Sequence, residues 1–305
     1  MVSGISRRKF LAQAGLAAVA LPFVSFAARS VVAESVPGLK LGYSAITWAG
    51  DDVKAIEELS KLGFKGVQLR ANTLEKFGNN PEELRRLLSQ HQLELPMFSG
   101  GNANINTGNE EALISDFVNK AKFIKALGGS NIQLTNSSRP KTGLPTNEDL
   151  VKYGRLLNEI GRRTRDLGVQ ASYHNHMHQL GETPAEVAVI LDNCEATNVK
   201  LLLDIAHYHQ GGGDPVKAIK LYKNRLHALH LKDVRPKNNG DPQAYVFVEL
   251  GQGKVDLPGV FKALNSIKFK GWGIIELDGV PEKAKSSRQC AEISKAYLTA
   301  QGFKV

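Results

Sequence analysis

Short apolar runs of strand length alternate with helix-like patterns along most of this chain. The runs lie at residues 39–47, 66–69, 93–98, 131–135, 169–174, 199–204, 226–230 and 273–276. Between and after them, apolar positions recur at helical spacing over 53–62, 81–91, 110–127, 147–167, 183–193, 215–222, 257–264 and 282–299. A strand followed by a helix, repeated about eight times over roughly 250 residues, predicts an α/β protein built as a single (β/α)8 TIM barrel. An open doubly wound sheet is the competing arrangement, but no glycine-rich dinucleotide fingerprint opens the first unit. Low-complexity and linker-like stretches are missing after residue 38, so residues 34–305 read as one catalytic-size domain.

Two segments interrupt the regular spacing. Residues 237–253 form a long polar excursion after the seventh strand, which reads as a lid or specificity loop over a pocket, or as a surface hairpin. Residues 100–108, rich in Asn and Gly, either meet substrate hydroxyls or simply turn.

The first 33 residues are of another kind. Ser6-Arg7-Arg8-Lys9-Phe10-Leu11, an apolar stretch over 16–28 and the small-residue exit Val31-Val32-Ala33 predict a twin-arginine export signal. The mature protein is then periplasmic or secreted and has no membrane span. Of the +9 net charge, Arg7, Arg8, Lys9 and Arg29 belong to this segment, which holds no acid, leaving +5 for the remainder. The basic residues are scattered, so nucleic acid gains no support as a partner. Cys194 and Cys290 stand far apart, outside any CxxC or CxxH arrangement, and read as small buried hydrophobes that an oxidising compartment would permit to pair.

The chemistry collects where the apolar runs end. Parallel strands of a barrel finish on one face, the face that carries active sites. Asp204, His230, Glu276 and one of His174 or His176 fall at four such ends, and imidazoles with carboxylates suit a divalent cation that leaves positions open for substrate oxygens. Glu276 and His176 are the candidates for acid/base work. Lys232 either stabilises a developing oxyanion or forms a salt bridge with its neighbour Asp233. Gln68, Arg70, Gln133, Asn136 and Asn175 also sit at strand ends and can bind hydroxyls, and Glu249 in the long loop is a candidate to close over the site.

Taken in order, Tyr173-His-Asn-His-Met177, Leu201-Leu-Leu-Asp-Ile-Ala-His207, Gly211-Gly-Gly-Asp-Pro215 and His230-Leu-Lys-Asp-Val-Arg235 resemble the xylose isomerase-like TIM barrels, in particular the inosose dehydratase and sugar isomerase branch. Gly251-Gln-Gly253 and the stretch from Gly271-Trp272 to Ile275-Glu276 continue the likeness. The resemblance implies one divalent metal ion, Mn2+, Co2+ or Zn2+, held by His174, Asp204, His230 and Glu276, with His174 standing where many relatives have a glutamate. It implies substrate contact for His207. The activity it implies is a metal-dependent sugar isomerase or epimerase that removes a proton beside the carbonyl of a keto-sugar or related polyol ketone, through an enediolate. A dehydratase of the inosose type is the alternative, and a non-catalytic exported carbohydrate-binding barrel is an alternative of another class. Endonuclease IV shares this barrel, but the further histidines that its chemistry needs are replaced here by Gln68-Leu-Arg70 and Phe98-Ser-Gly-Gly-Asn102. A small-molecule sugar is therefore the expected partner, and a homo-oligomer is left open.

Overall fold

Strands such as Val199-Lys-Leu-Leu-Leu-Asp204 are apolar almost throughout, the composition of parallel strands covered on both faces. The computed structural model describes residues 36–135, 137–141, 143–237, 239–241 and 243–305; the residues read as an export signal, and Asn136, lie outside them. Eight parallel strands close into a barrel: β1 (Leu39–Ser44), β2 (Gly66–Arg70), β3 (Phe98–Asn102), β4 (Asn131–Thr135), β5 (Gln170–His174), β6 (Val199–Asp204), β7 (Leu226–Leu231) and β10 (Gly271–Ile275), the last pairing back to β1. Strands β8 (Asp233–Pro236) and β9 (Tyr245–Val248) form a separate antiparallel hairpin between β7 and β10. The helices are α1 (Asp52–Leu62), α2 (Thr73–Phe77), α3 (Pro81–Gln90), α4 (Glu110–Ala126), α5 (Asn147–Asp166), α6 (Pro184–Asp192), α7 (Ile205–Gln210), α8 (Pro215–Leu221), α9 (Leu257–Ser266) and α10 (Ser287–Ala300). Among the described residues, no helix is long and apolar enough to cross a membrane.

Inside the cylinder the chemistry changes with depth. Met97, Leu202, Ala228 and Ile274 make a buried apolar cluster with Trp272 against it. Leu202, Ala228 and Ile274 each stand two residues before Asp204, His230 and Glu276. Side chains two apart on a strand point the same way, so one face of each strand supplies first the apolar floor and then a polar group above it.

Several boundaries differ from the sequence reading, for local reasons. The third strand is not 93–98 but Phe98–Asn102. Glu94 still bridges to Gly66, but Pro96 offers no N–H and biases Leu95 in turn, so pairing breaks and resumes at Phe98. The first strand stops at Ser44, where the chain tightens into a 3-10 turn over Ala45–Trp48. The last helix begins at Ser287 rather than 282, because Ser286 and Gln289 form a reciprocal capping box. The excursion after β7 is the β8–β9 hairpin. Cys194 and Cys290 are free buried thiols, and burial pushes both up to about 12.

Candidate metal centre and active site

His174, Asp204, His230 and Glu276 each offer a ligand atom, and the four atoms lie within 4.8 Å of one another, all on buried residues. Barrel closure makes this possible: Asp204 and His230 are register partners across β6 and β7, and Ile274, two before Glu276, pairs with His230 across β7 and β10. His174 Nε2 is 3.0 Å from His230 Nδ1 and 3.5 Å from Asp204 Oδ2. His230 Nδ1 is 3.6 Å from Asp204 Oδ2 and 3.2 Å from Glu276 Oε1. A tetrahedral zinc site with bonds of ~2.1 Å has ligand-to-ligand edges of about 3.4 Å, so the donor spacing fits an ion of this class. Asp204 carries a second mark of fit. Its Oδ1 caps α7 by accepting from Ala206 and His207 N–H, whereas Oδ2 is buried and accepts no hydrogen bond.

The neighbouring groups orient these side chains. Gln68 Oε1 lies 3.0 Å from His230 Nε2; an amide oxygen only accepts, so that nitrogen carries a proton and faces away from the centre. Gln68 Nε2 in turn donates to Gln133 Oε1 at 2.9 Å, and Gln133 Nε2 to Thr135 Oγ1 at 3.1 Å. The amide chain therefore turns the Nδ1 of His230 towards Asp204 and Glu276. Asn175 works on the other side, holding the Asp204 backbone through N–H to Oδ1 at 2.9 Å and Nδ2 to carbonyl at 3.1 Å.

Lys232 is fully buried two residues beyond His230. Its ammonium lies 2.7 Å from Asp278 Oδ1, 3.3 Å from Glu276 Oε1, 3.7 Å from Asp204 Oδ2 and 4.2 Å from the Phe247 ring centre. The alternative pairing with Asp233 does not form. Asp233 points to the opposite face and accepts four backbone N–H groups, from Val234, Gly251, Gly253 and Val255. A Cβ on Gly253 would lie 2.1 Å from its Oδ1, which accounts for glycine there.

Three carboxylates around one ammonium give the site an excess of two negative charges when its imidazoles are neutral, the charge that a divalent cation balances. The same field acts on protons. Burial works against the charge on His230, but Glu276 and Asp204 outweigh it and raise its pKa to about 9. Burial dominates at His174 and lowers it to about 4. Burial would raise Asp204, yet the fields of His207 and Lys232 and the nearby imidazoles of His174 and His230 hold it well below the usual carboxylate range. Glu276 is held low in the same way by His230 and Lys232.

Above this group lies a cavity of about 220 Å3 whose lining includes Gln68, Arg70, Gln133, His174, His176 and Glu276. His176 is half-buried and its ring lies 3.7 Å from that of His207. Its Nδ1 is 2.6 Å from the Met177 carbonyl, so Nδ1 donates and, in the neutral ring, Nε2 is the nitrogen that carries the lone pair. His207 is buried behind it, with Nε2 3.2 Å from Lys232 Nζ. Glu249 is not brought to the centre: it is buried against Lys285, 2.9 Å away, and supports the loop base. Asp278, Phe247 and Thr135 were not anticipated. Asp278 follows Glu276 by two, a spacing that strand alternation makes legible.

An inosose dehydratase of Lacticaseibacillus casei is 25% identical over 296 residues, spanning 86% of this chain and 97% of that protein. Two solved structures share the fold: an IolI protein with a binding zinc atom (TM-score 0.73, 18% identity, 88% of this chain and 100% of that one) and a D-allulose 3-epimerase from Methylomonas sp. (TM-score 0.70, 17% identity, 86% and 98%). Residues 56–296 match the family model of the xylose isomerase-like TIM barrel, and the chain belongs to that family.

Proposed function

We propose that the protein is a metal-dependent enzyme that removes the proton beside the ketone of a keto-sugar or keto-cyclitol and expels the hydroxyl on the next carbon. The observation that carries this reading is the four-ligand group beneath a cavity wall bearing one imidazole nitrogen with a free lone pair. The name of the Lacticaseibacillus relative supports dehydration as the outcome. A cation held by His174, Asp204, His230 and Glu276 would polarise the ketone and acidify the adjacent C–H.

The chain's own groups supply the rest. His176 Nε2 takes the C–H proton; the released electron pair forms the C=C bond as the C–O bond breaks; and the same imidazolium returns its proton to the leaving hydroxide as water. Glu276 is a poor base, since the positive neighbours that keep it ionised also lower its proton affinity. Lys232 stays protonated, because Asp204, Glu276 and Asp278 outweigh its burial, and it stabilises negative charge building on substrate oxygen. Isomerase or epimerase action is the second reading. It is favoured by the placement of His176 and Glu276 beyond the ends of different strands around one cavity, so that a proton can leave by one and return by the other.

The test is a panel of inososes and free ketoses with protein loaded with Mn2+, Co2+ or Zn2+, following deuterium uptake beside the ketone and loss of water. His176→Gln is expected to lower turnover by about 10^2–10^4-fold with metal content kept, and Glu276→Gln to abolish it with the fold intact. Dehydration predicts an unsaturated product; retention of all hydroxyls with exchange predicts the isomerase reading. No exchange with any ketone would end both.

A further inference from the structure

We propose that a second, outer cavity is a subsite for a further sugar unit, so that the preferred substrate is a keto-sugar bearing another sugar rather than a free monosaccharide. The inference rests on the reaction reading above for the inner ring only. The inner cavity, about 220 Å3, falls below the roughly 300–1,000 Å3 common for ligand pockets and is scaled to a single ring. Beside it opens a cavity of about 840 Å3, and the two share Ile46, Arg70, Asn72 and Asp278 in their walls. A molecule seated over the metal ligands and extending past Asp278 enters the larger space.

The polar groups there match neighbouring hydroxyls. Asp52, at the start of α1, is 6% exposed; its Oδ2 accepts from Thr73 Oγ1 at 2.6 Å and Asn72 Nδ2 at 3.2 Å, while Oδ1 takes no hydrogen bond among the described residues. Arg70, at the junction of the two cavities, has no hydrogen bond or ion pair among the described residues. A carboxylate that accepts and a guanidinium that donates, with Phe77 and Val53 as apolar wall, are the elements that bind the polar edge and the C–H face of a pyranose. A phosphate or carboxylate occupant is disfavoured, because Asp51, Asp52, Glu75 and Asp278 outnumber Arg70 and Lys76 in the lining.

Gly279 provides a clean block. It lines the outer cavity, a Cβ there meets nothing within 4 Å, and its backbone lies outside the left-handed region. The experiment is calorimetric titration of the metal-loaded protein, and of Gly279→Phe and Gly279→Ala, with D-fructose and with the keto-disaccharides lactulose, maltulose and isomaltulose, each carrying the same keto unit. At least one disaccharide is expected to bind about tenfold or more tightly than fructose; Gly279→Phe should erase the advantage and Gly279→Ala keep it. Disaccharides no tighter than fructose, or an advantage that survives Gly279→Phe, would overturn the subsite. Deuterium exchange in the same samples separates the two ideas: preferential binding without exchange removes the reaction and keeps the subsite, and exchange without preference does the reverse.

Discussion

Replacing Gln68 by Leu tests whether the amide chain behind His230 prepares the metal centre. The substitution removes the acceptor 3.0 Å from His230 Nε2 and, with it, the donor to Gln133. Both sit at full burial, with Gln68 itself 0% exposed. The imidazole, once it loses a proton to bind a cation, then has two choices: keep the Nε2 proton in an apolar setting, at a cost of about 1–3 kcal/mol for an unsatisfied buried donor, or keep the one on Nδ1 and present N–H where a ligand lone pair is needed. Either path falls on metal affinity. An outer-shell loss of this kind typically weakens binding about 10–100-fold, or about 1.4–2.7 kcal/mol. Calorimetric titration with Zn2+ and Mn2+ measures it, and nitrogen chemical shifts of labelled histidine report the tautomer directly. Gln68→Glu retains an acceptor and should recover the Nε2–H tautomer. A Leu variant that binds metal as the wild type does, with an unchanged His230 tautomer, would refute the orienting role.

Asp204→Asn keeps a cap for Ala206 and His207 but withdraws the charge, so circular dichroism should show a folded barrel while titration shows a larger metal-affinity loss than the roughly 10–100-fold expected of outer-shell changes. Asp233→Ala strands four backbone donors at once and is expected to cost about 3 kcal/mol or more in urea unfolding; a loss below about 1 kcal/mol would show that the loop is anchored by other groups. Glu159, hydrogen-bonded to Arg162 and Arg163, is lowered from 4.5 to about 2. A depressed carboxylate stabilises the fold above its unfolded pKa and loses that contribution as pH falls towards the folded one, so Glu159→Gln should flatten the acid limb of a melting-temperature profile between pH 4.5 and 2 and leave the neutral region little changed.

The barrel was legible because several of its parallel strands, such as Val199–Asp204, are largely apolar runs with a polar residue at or just after their end. The buried four-residue group was legible for a related reason, since Asp204, His230 and Glu276 fall at or next to the ends of three apolar runs. Alternation also limits what a sequence tells: His174 and His176 share a face and differ only in depth, and it is the strand's end at His174 that places one in the four-residue group and the other on the cavity wall. Adjacency misled at Lys232, where Asp233 looks like a partner although consecutive strand residues face opposite ways. A hairpin was one of the two readings of the polar excursion after β7, and its second strand is the β-type sequence Tyr245-Val-Phe-Val248, paired with Asp233–Pro236. Glu249 drew notice as an acid in a long loop, yet its partner Lys285 lies 36 residues away, beyond any local pattern.

The four-amide clasp on Asp233 makes the insert after β7 a cassette. Its entry follows directly on Lys232, which links β7 to β8, its exit at Gly251–Val255 is fastened to the same carboxylate, and Phe247 meets Lys232 from within the clasped part. The stretch between Pro236 and Tyr245 can therefore change length or composition without disturbing the ammonium below. Grafting alternative tips there is a route to changing what the rim admits while the buried polar group stays where it is.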